Sequence, residues 1–286
     1  MPDLHDPASA RTSDSICSMP VPAPNSSARA VVTGGSSGIG VALATELARR
    51  GHSVILVARS TGPMEELAAK LRAEFGVEAE VRGVDLSDHV ARDELCTELA
   101  GREISILCNN AGTATFGRVI DLDFDYERAQ LELNANAVHD LTLAVLPQMV
   151  ERGNGGIMIT GSAAGNMPIP NNATYAASKA FANTFSESLR GELKNTGVHV
   201  TLLAPGPVRT ELPDPEDRST VEKVVPEFLW VNTEYTARIT LDALEKNKMR
   251  VVPGLLSKGM SLAGNYTPRG IMAPIVGEMY KKLAGN

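Results

Sequence analysis

The chain has 286 residues, 43% hydrophobic and 21% charged, and a formal net charge of −7. The acidic balance and the lack of any Lys/Arg cluster exclude a nucleic-acid binder, since a phosphate backbone needs a concentrated basic surface. Cys17, Cys96 and Cys108 form no C-x-x-C pair, and His5, His52, His89, His139 and His199 have no metal-ligand spacing, so a reduced, metal-free, cytoplasmic protein is expected.

Neither a secretory leader nor a run of about 18 apolar residues is read at any point, so no signal peptide and no spanning helix is expected. Residues 1–28 are dense in Pro, Ser, Ala and Asp. Such a stretch buries too little apolar surface to offset ordering entropy and is expected to be a disordered tail, with Met19 as the natural start. The folded domain is expected over 29–286, with an apolar C-terminal extension from about 253.

Residues 29–33 read as an apolar strand running into Gly34, Gly35, Ser36, Ser37, Gly38, Ile39 and Gly40, and 41–50 as an amphipathic helix. Glycines between a strand and a helix let the backbone turn tightly and let a pyrophosphate approach the free N–H groups of the helix start. Glycines 34, 38 and 40 give G-x-x-x-G-x-G, which in this context predicts dinucleotide binding; the plain alternative is a turn.

Residues 53–58 predict a second strand ending at Arg59. An acid there would bond a ribose 2′-hydroxyl, whereas a guanidinium accepts a 2′-phosphate, so Arg59 points to NADP(H) rather than a merely solvated arginine. A helix is predicted over 63–75 and a strand over 78–84. Asp85 and Leu86 follow, where an adenine ring could lie; Asp85 could equally cap the next helix, from Asp88 onward.

A fourth strand over 104–108 runs into Asn109, Asn110, Ala111 and Gly112. Small and amide residues at a strand end suit a crevice where backbone nears a ligand, or an ordinary turn. Residues 123–149 predict a long helix carrying Asn134 and Asn136. Asparagine is a poor mid-helix residue, and a local break freeing a carbonyl to hold water would account for it.

A fifth strand over 156–160 ends near Ser162, and a Pro-rich loop leads to a helix from Tyr175 through about Lys194. Tyr175 and Lys179 lie four apart, on one helix face. A phenol of pKa about 10 is a poor acid-base group at neutral pH, and a neighbouring cation is expected to lower it toward the working range. A packed ring beside a solvated amine is the plain alternative. A sixth strand is expected over 198–203 and a last one over 249–252. Strands alternating with helices predict one α/β domain on a doubly wound parallel sheet.

TGGSSGIG, NNAG, Ser162, YAASK and PGPVRT together resemble the short-chain dehydrogenase/reductase family over nearly all of residues 29–252. The resemblance implies a single-domain Rossmann-type sheet with flanking helices and a catalytic set of Asn134, Ser162, Tyr175 and Lys179; Asn134 is preferred to Asn136 because its separation from Asn109 suits the family. NADPH would deliver hydride to a carbonyl carbon, Tyr175 would protonate the oxygen and Ser162 would polarise it. Lys179 would bind the nicotinamide ribose and keep the Tyr175 pKa low, and Asn134 would hold a water feeding protons to Lys179. The cofactor shell would comprise Gly34, Ser36, Ser37, Gly38, Ile39, Gly40, Arg59, Asp85, Leu86, Asn109, Ala111, Gly112, Tyr175, Lys179, Pro205, Gly206, Val208 and Thr210. It also implies a homodimer or homotetramer built on the helices around 123–149 and 173–194.

After Thr210, residues 211–226 are Pro-rich and aperiodic, and the family places a substrate-covering insert there; Phe228, Leu229 and Trp230 would anchor it. Farther on, Ile271, Ile275, Met279 and Leu283 recur every four, beside Met272, Val276 and Tyr280. This apolar stripe would pack on its own or a partner subunit, or form a greasy surface for an acyl chain or a membrane, with Lys258, Arg269, Lys281 and Lys282 at its margins.

Within the family, ISILCNNAGTATFG and NKMRVVPGLLSK resemble mycolate-type reductases, implying NADPH-dependent reduction of the 3-oxo group of a long-chain 2-alkyl-3-oxo fatty acyl ester in mycolic acid synthesis. Rival readings are a reductase or dehydrogenase of another small ketone or alcohol, a nucleotide-sugar epimerase sharing the Tyr-x-x-x-Lys helix, and a silent NADP(H)-binding sensor.

Overall fold

The computed structural model describes residues 21–206, 208, 230–254, 274 and 276–278. Seven parallel strands form one sheet in the order β3-β2-β1-β4-β5-β6-β7: β1 Arg29–Thr33, β2 Val54–Ala58, β3 Ala79–Gly83, β4 Ile104–Asn109, β5 Gly155–Thr160, β6 Val198–Leu203 and β7 Arg250–Val251. The chain winds outward from β1 to β3, then returns to place β4 on the other side of β1. The carboxyl ends of β1 and β4 therefore diverge into a crevice, the place where open parallel sheets take their ligands.

Helices cover both faces: α1 Gly38–Arg49, α2 Thr61–Phe75, α3 His89–Ala100, α4 Phe124–Leu131, α5 Ala137–Arg152, α6 Ala173–Glu192 and α7 Thr233–Glu245. Side chains alternate across the strands with period two. Ala30, Val32, Leu56, Ile106, Cys108 and Met158 point to the α1, α2 and α7 side, where Leu43, Leu47, Met64, Leu71 and Leu241 meet them. Val31, Ile55, Val57, Leu107, Ile157 and Ile159 point to the other face, against Leu95, Leu141, Val145, Met149 and Leu189. Each of these large side chains contributes roughly 1.5–3 kcal/mol by leaving water.

Local chemistry sets the helix limits. Asp88 caps α3 by accepting from the Val90 and Ala91 N–H groups, Asp123 caps α4 through Tyr126 N–H, and Gly76 and Gly153 end α2 and α5 in the left-handed conformation. The long helix expected over 123–149 is interrupted: Glu132–Asn136 forms a π-helical turn between α4 and α5. Helix α7 was not anticipated, although Asn232 caps it through Tyr235 N–H at 2.7 Å.

The disordered tail expected through residue 28 is corrected for residues 21–28. Val21 is buried in the core beside Gly156, and Asn25 folds back to accept from Ser27 N–H at 2.9 Å and Ala28 N–H at 2.6 Å. A local side-chain turn and one apolar anchor outweigh the polar composition here. Residues 1–20, including Met19, lie outside the described residues. Among the described residues no helix is long and apolar enough to cross a membrane.

Candidate active site

The crevice is built by one threonine. Thr33, the last residue of β1, accepts at Oγ1 from the Asn110 and Ala111 N–H groups, both at 2.9 Å, while Asn110 Nδ2 donates to the Thr33 carbonyl at 3.1 Å. The end of β4 is thereby held open against the glycine turn. In that turn Gly34 has φ +69° and Gly38 φ +54°, and a Cβ on Gly40 would lie 1.9 Å from the Gly34 carbonyl oxygen. Side chains are excluded from the turn by its own backbone. The start of α1 has no side-chain cap at Ser37 and no acid in its first turn, so its N–H groups suit an anionic group.

Arg59 stands exposed just past β2, close enough to Asp85 for its charge to act on that carboxyl. Burial works against the Asp85 charge, but hydrogen bonds from Ser87 and the Arg59 guanidinium outweigh it and hold the carboxyl below its usual range. The two readings left open for Asp85 are resolved in part, because Asp88 caps α3 and Asp85 Oδ1 instead receives Ser87 N–H at 2.9 Å. Leu86, expected beside adenine, has its side chain buried in the core with Val57 and Leu95. Asn109, expected in the cofactor shell, is turned away: its Nδ2 donates to Thr142 Oγ1 at 2.9 Å and the Val138 carbonyl at 3.3 Å, so it ties β4 to α5.

Ser162, Tyr175, Lys179 and Asn134 converge at the carboxyl ends of β4 and β5. Ser162 follows β5 in extended conformation, with its hydroxyl close enough to the Tyr175 hydroxyl to act on the phenol's pKa. Lys179 is 4% exposed; its Nζ donates to the Thr160 carbonyl at 2.9 Å and lies 5.9 Å from the Tyr175 ring centroid. Asn134, fully buried in the π-turn, receives Thr113 N–H at 3.0 Å and donates to the Thr113 carbonyl at 2.8 Å and to Ser178 Oγ at 3.1 Å.

Two expectations about this group are revised. Burial raises the Tyr175 pKa above its ordinary value, with the nearby Ser162 hydroxyl acting in the opposite direction, so Lys179 does not hold the phenol low in this state. The lysine itself is lowered to about 8 by burial. For both groups the leading cause is desolvation, which disfavours the charged form. The Asn134 side chain, expected to hold a water, is engaged with Thr113 and Ser178; the local break expected at this asparagine is present as the π-turn.

The space between these groups fits a nucleotide. A Cβ on exposed Gly112 would fall 3.1 Å from Asn134 Oδ1 and 3.2 Å from Lys179 Nζ, so a side chain there would fill the approach to the lysine. Pro205 and Gly206 follow β6, which pairs with β5 as far as Thr160, and Val208 bridges to Val231. Thr210, the stretch 211–226, Phe228 and Leu229 lie outside the described residues. Among the described residues no cluster of His, Cys, Asp or Glu is placed to hold a metal.

An apolar wall adjoins the phenol. Ala164, Ile169, Ala176 and Val276 pack together with Met167 and Tyr175. Val276 thus places part of the apolar C-terminal segment on its own chain, against the Tyr175 helix; the other residues of the predicted stripe lie outside the described residues. The sequence reading missed Thr33, Thr113 and Asn183, which hold the site residues without facing the crevice. Asn183 alone carried a signal, as another asparagine inside a helix.

Residues 28–220 match the family model described as short chain dehydrogenase. The very-long-chain 3-oxoacyl-CoA reductase of Mus musculus is 38% identical over 188 residues, covering 64% of this chain and 60% of the relative, so the match spans three fifths of that protein's length. A short-chain dehydrogenase from Sphingobium yanoikuyae in complex with NADPH superposes with a TM-score of 0.75 at 31% identity, covering 86% of this chain and 95% of that one. L-Sorbose reductase from Gluconobacter frateurii, complexed with NADPH and L-sorbose, gives 0.70 at 25% identity over 82% and 98% of the two chains. With the sheet order and crevice above, the chain belongs to the short-chain dehydrogenase family.

Proposed function

We propose that this protein is an NADPH-dependent reductase that converts a 3-oxo group to a hydroxyl on a long-chain acyl substrate, specifically a 2-alkyl-3-oxo fatty acyl ester of mycolic acid synthesis. The observation that carries the chemistry is the convergence of Ser162, Tyr175 and the buried Lys179 at the carboxyl ends of β4 and β5. The acyl character is supported by the apolar wall of Ile169, Ala176 and Val276 against Tyr175, and by the name of the mouse relative.

Residues 34–40 would cradle the pyrophosphate at the α1 N-terminus, Arg59 would take the 2′-phosphate, and Ala111, Gly112, Lys179, Pro205, Gly206 and Val208 would line the nicotinamide end. When bound there, the nucleotide supplies the hydride. Tyr175 holds the proton that the reduced oxygen needs, and because burial raises its pKa the hydroxyl stays protonated at neutral pH. Ser162 brings its hydroxyl near that phenol, where it would hydrogen-bond and polarise the carbonyl oxygen. Lys179 presents an ammonium of low pKa behind the phenol, ready to replace its proton. Asn134 fixes Thr113 and Ser178 around the lysine, and any water in the relay would be held by the main chain of the π-turn.

A second copy of the chain is the proposed partner, through α5 and α6, in a homodimer or homotetramer. Leu143 and Val150 on α5 are 47% and 39% exposed, and Phe181 on α6 is 39% exposed and stacked on Phe185 with ring centroids 5.5 Å apart.

The test combines purified protein, NADPH and 3-oxo acyl esters differing in chain length and α-branching, following loss of nicotinamide absorbance. Long, branched substrates are expected to be reduced fastest, and Tyr175→Phe to lose on the order of 100-fold or more in kcat while still binding NADPH. A preference for short unbranched ketones refutes the mycolate assignment; full activity in Tyr175→Phe refutes the mechanism.

A further inference from the structure

We infer that Asn183 is a positioning residue that fixes the Ser162 hydroxyl relative to Tyr175; this rests on the Ser162–Tyr175 reading of the site. Ser162 donates its backbone N–H to Asn183 Oδ1 at 3.3 Å and receives Asn183 Nδ2 on its carbonyl at 2.9 Å. Ser162 has φ −164° and ψ 154°, and in an extended residue the N–H and C=O point to the same side. One carboxamide, carrying an acceptor and a donor side by side, satisfies both at once. The assignment of oxygen and nitrogen is forced, because the flipped amide would set N–H against N–H.

With its backbone held on both sides, Ser162 retains only χ1, and the Ala164 N–H, donating to Oγ at 3.1 Å, fixes that. The grip is referenced to the helix that carries the other reacting groups. Tyr175, Lys179, Asn183 and Glu187 stand four apart along α6, on one face. The separation of Ser162 from Tyr175 is therefore set by a single helix rather than by the loop after β5.

The surroundings are shaped for this contact. A Cβ on Gly161 would lie 1.9 Å from Asn183 Oδ1, and one on Gly165 would lie 2.6 Å from Asn183 Nδ2. Asn183 Nδ2 also donates to Asn166 Oδ1 at 3.1 Å, which receives Arg250 Nη2 at 3.1 Å, and Arg250 Nε lies 3.3 Å from Glu187 Oε1. Asn183 is 4% exposed, so water does not replace these bonds at low cost.

The test is a double-mutant cycle on the full chain, using NADPH and a 3-oxo acyl ester that the parent reduces. Asn183→Ala is expected to lower kcat on the order of 100-fold, as a small misplacement of a reacting group does, with KM and NADPH affinity unchanged. In the Ser162→Ala background the same change is expected to cost no more than about threefold, because the group it positions is gone. Asn183→Asp keeps the shape and the bond to the Ser162 N–H but sets an oxygen against the Ser162 carbonyl. It is expected to show the same coupling and carries the test where the alanine variant does not fold.

Unchanged kcat in Asn183→Ala, or equal losses in both backgrounds, overturns the inference while Ser162→Ala keeps its own measurable but lowered kcat. Full activity in Ser162→Ala overturns the reading of the site, and the inference with it.

Discussion

The Lys179 ammonium, buried to 4% exposure, donates to the carbonyl of Thr160 at 2.9 Å, and burial has lowered its pKa to about 8. In the unfolded chain the same amine titrates near its ordinary value, about 10.4. The folded state therefore binds fewer protons between the two values, so the contribution of this lysine to stability rises with pH across that window. Below it, at neutral pH, the folded protein carries a buried charge costing about 3 kcal/mol, offset in part by the Thr160 hydrogen bond. Lys179→Met is expected to abolish turnover yet stabilise the cofactor-free protein by about 1–2 kcal/mol in urea at pH 7. The gain should shrink as pH rises from about 8 toward 10. A variant less stable than the parent at pH 7 rules this account out.

Gly40 tests the nucleotide turn without touching the acid-base groups. A methyl group there would sit 1.9 Å from the Gly34 carbonyl oxygen and 2.7 Å from its carbon, both backbone atoms that cannot swing aside. Gly40→Ala is expected to cost about 1–3 kcal/mol and to weaken NADPH binding well beyond that of the parent. Thermal melting with and without NADPH checks both; a parent-like shift on adding cofactor would contradict the placement of the pyrophosphate.

The strand limits and the glycine turn were legible because each depends on local pattern: 29–33 and 198–203 were read to the residue, and the paired Tyr175 and Lys179 follow from helix periodicity. What escaped the sequence is set by packing across the fold. The break inside 123–149 showed only as asparagines in a helix, and its π-turn depends on partners from α3. Thr33, a strand residue like any other, gains its role only when β1 meets β4. Asn109 and Leu86 stood at strand ends, where ligand contact is expected, but sequence position does not say which way a side chain turns. The order of residues 21–28 rests on Val21 reaching the core, a long-range contact that composition hides.

Arg59 decides the proposed choice of cofactor. It is exposed beyond β2, and the glycine turn carries no other base to take a phosphate. A charge-assisted hydrogen bond to a 2′-phosphate contributes about 1.5–3 kcal/mol, or roughly 10–150-fold. Arg59→Ala is expected to lower the ratio of kcat/KM for NADPH over NADH by that factor, mainly through KM for NADPH. An unchanged ratio would remove Arg59 from the proposed phosphate site.

Arg92 links the stability of the fold to the placement of Asn134. Its guanidinium is 4% exposed and spans three elements, with Nη2 3.0 Å from Glu132 in the π-turn, Nε 2.8 Å from Asp140 in α5, and Nη1 donating to the Leu86 carbonyl at 2.8 Å. Removing the cation takes the guanidinium from both Glu132 and Asp140, of which Asp140 keeps His139 Nδ1 at 3.0 Å. Their side chains are 35% and 31% exposed, so water relieves part of the penalty, and the expected loss is about 2 kcal/mol rather than that of a fully buried pair. Glu132 opens the π-turn, and a turn released toward ordinary α-helix would rotate Asn134 away from Thr113 and Ser178. Arg92→Met is therefore expected to lower both melting temperature and kcat. Arg92→Lys, whose single ammonium cannot reach both carboxylates in a fork, should fall between. A variant that melts earlier but turns over at the parental rate when folded would separate the two effects and show that the π-turn holds Asn134 without this arginine.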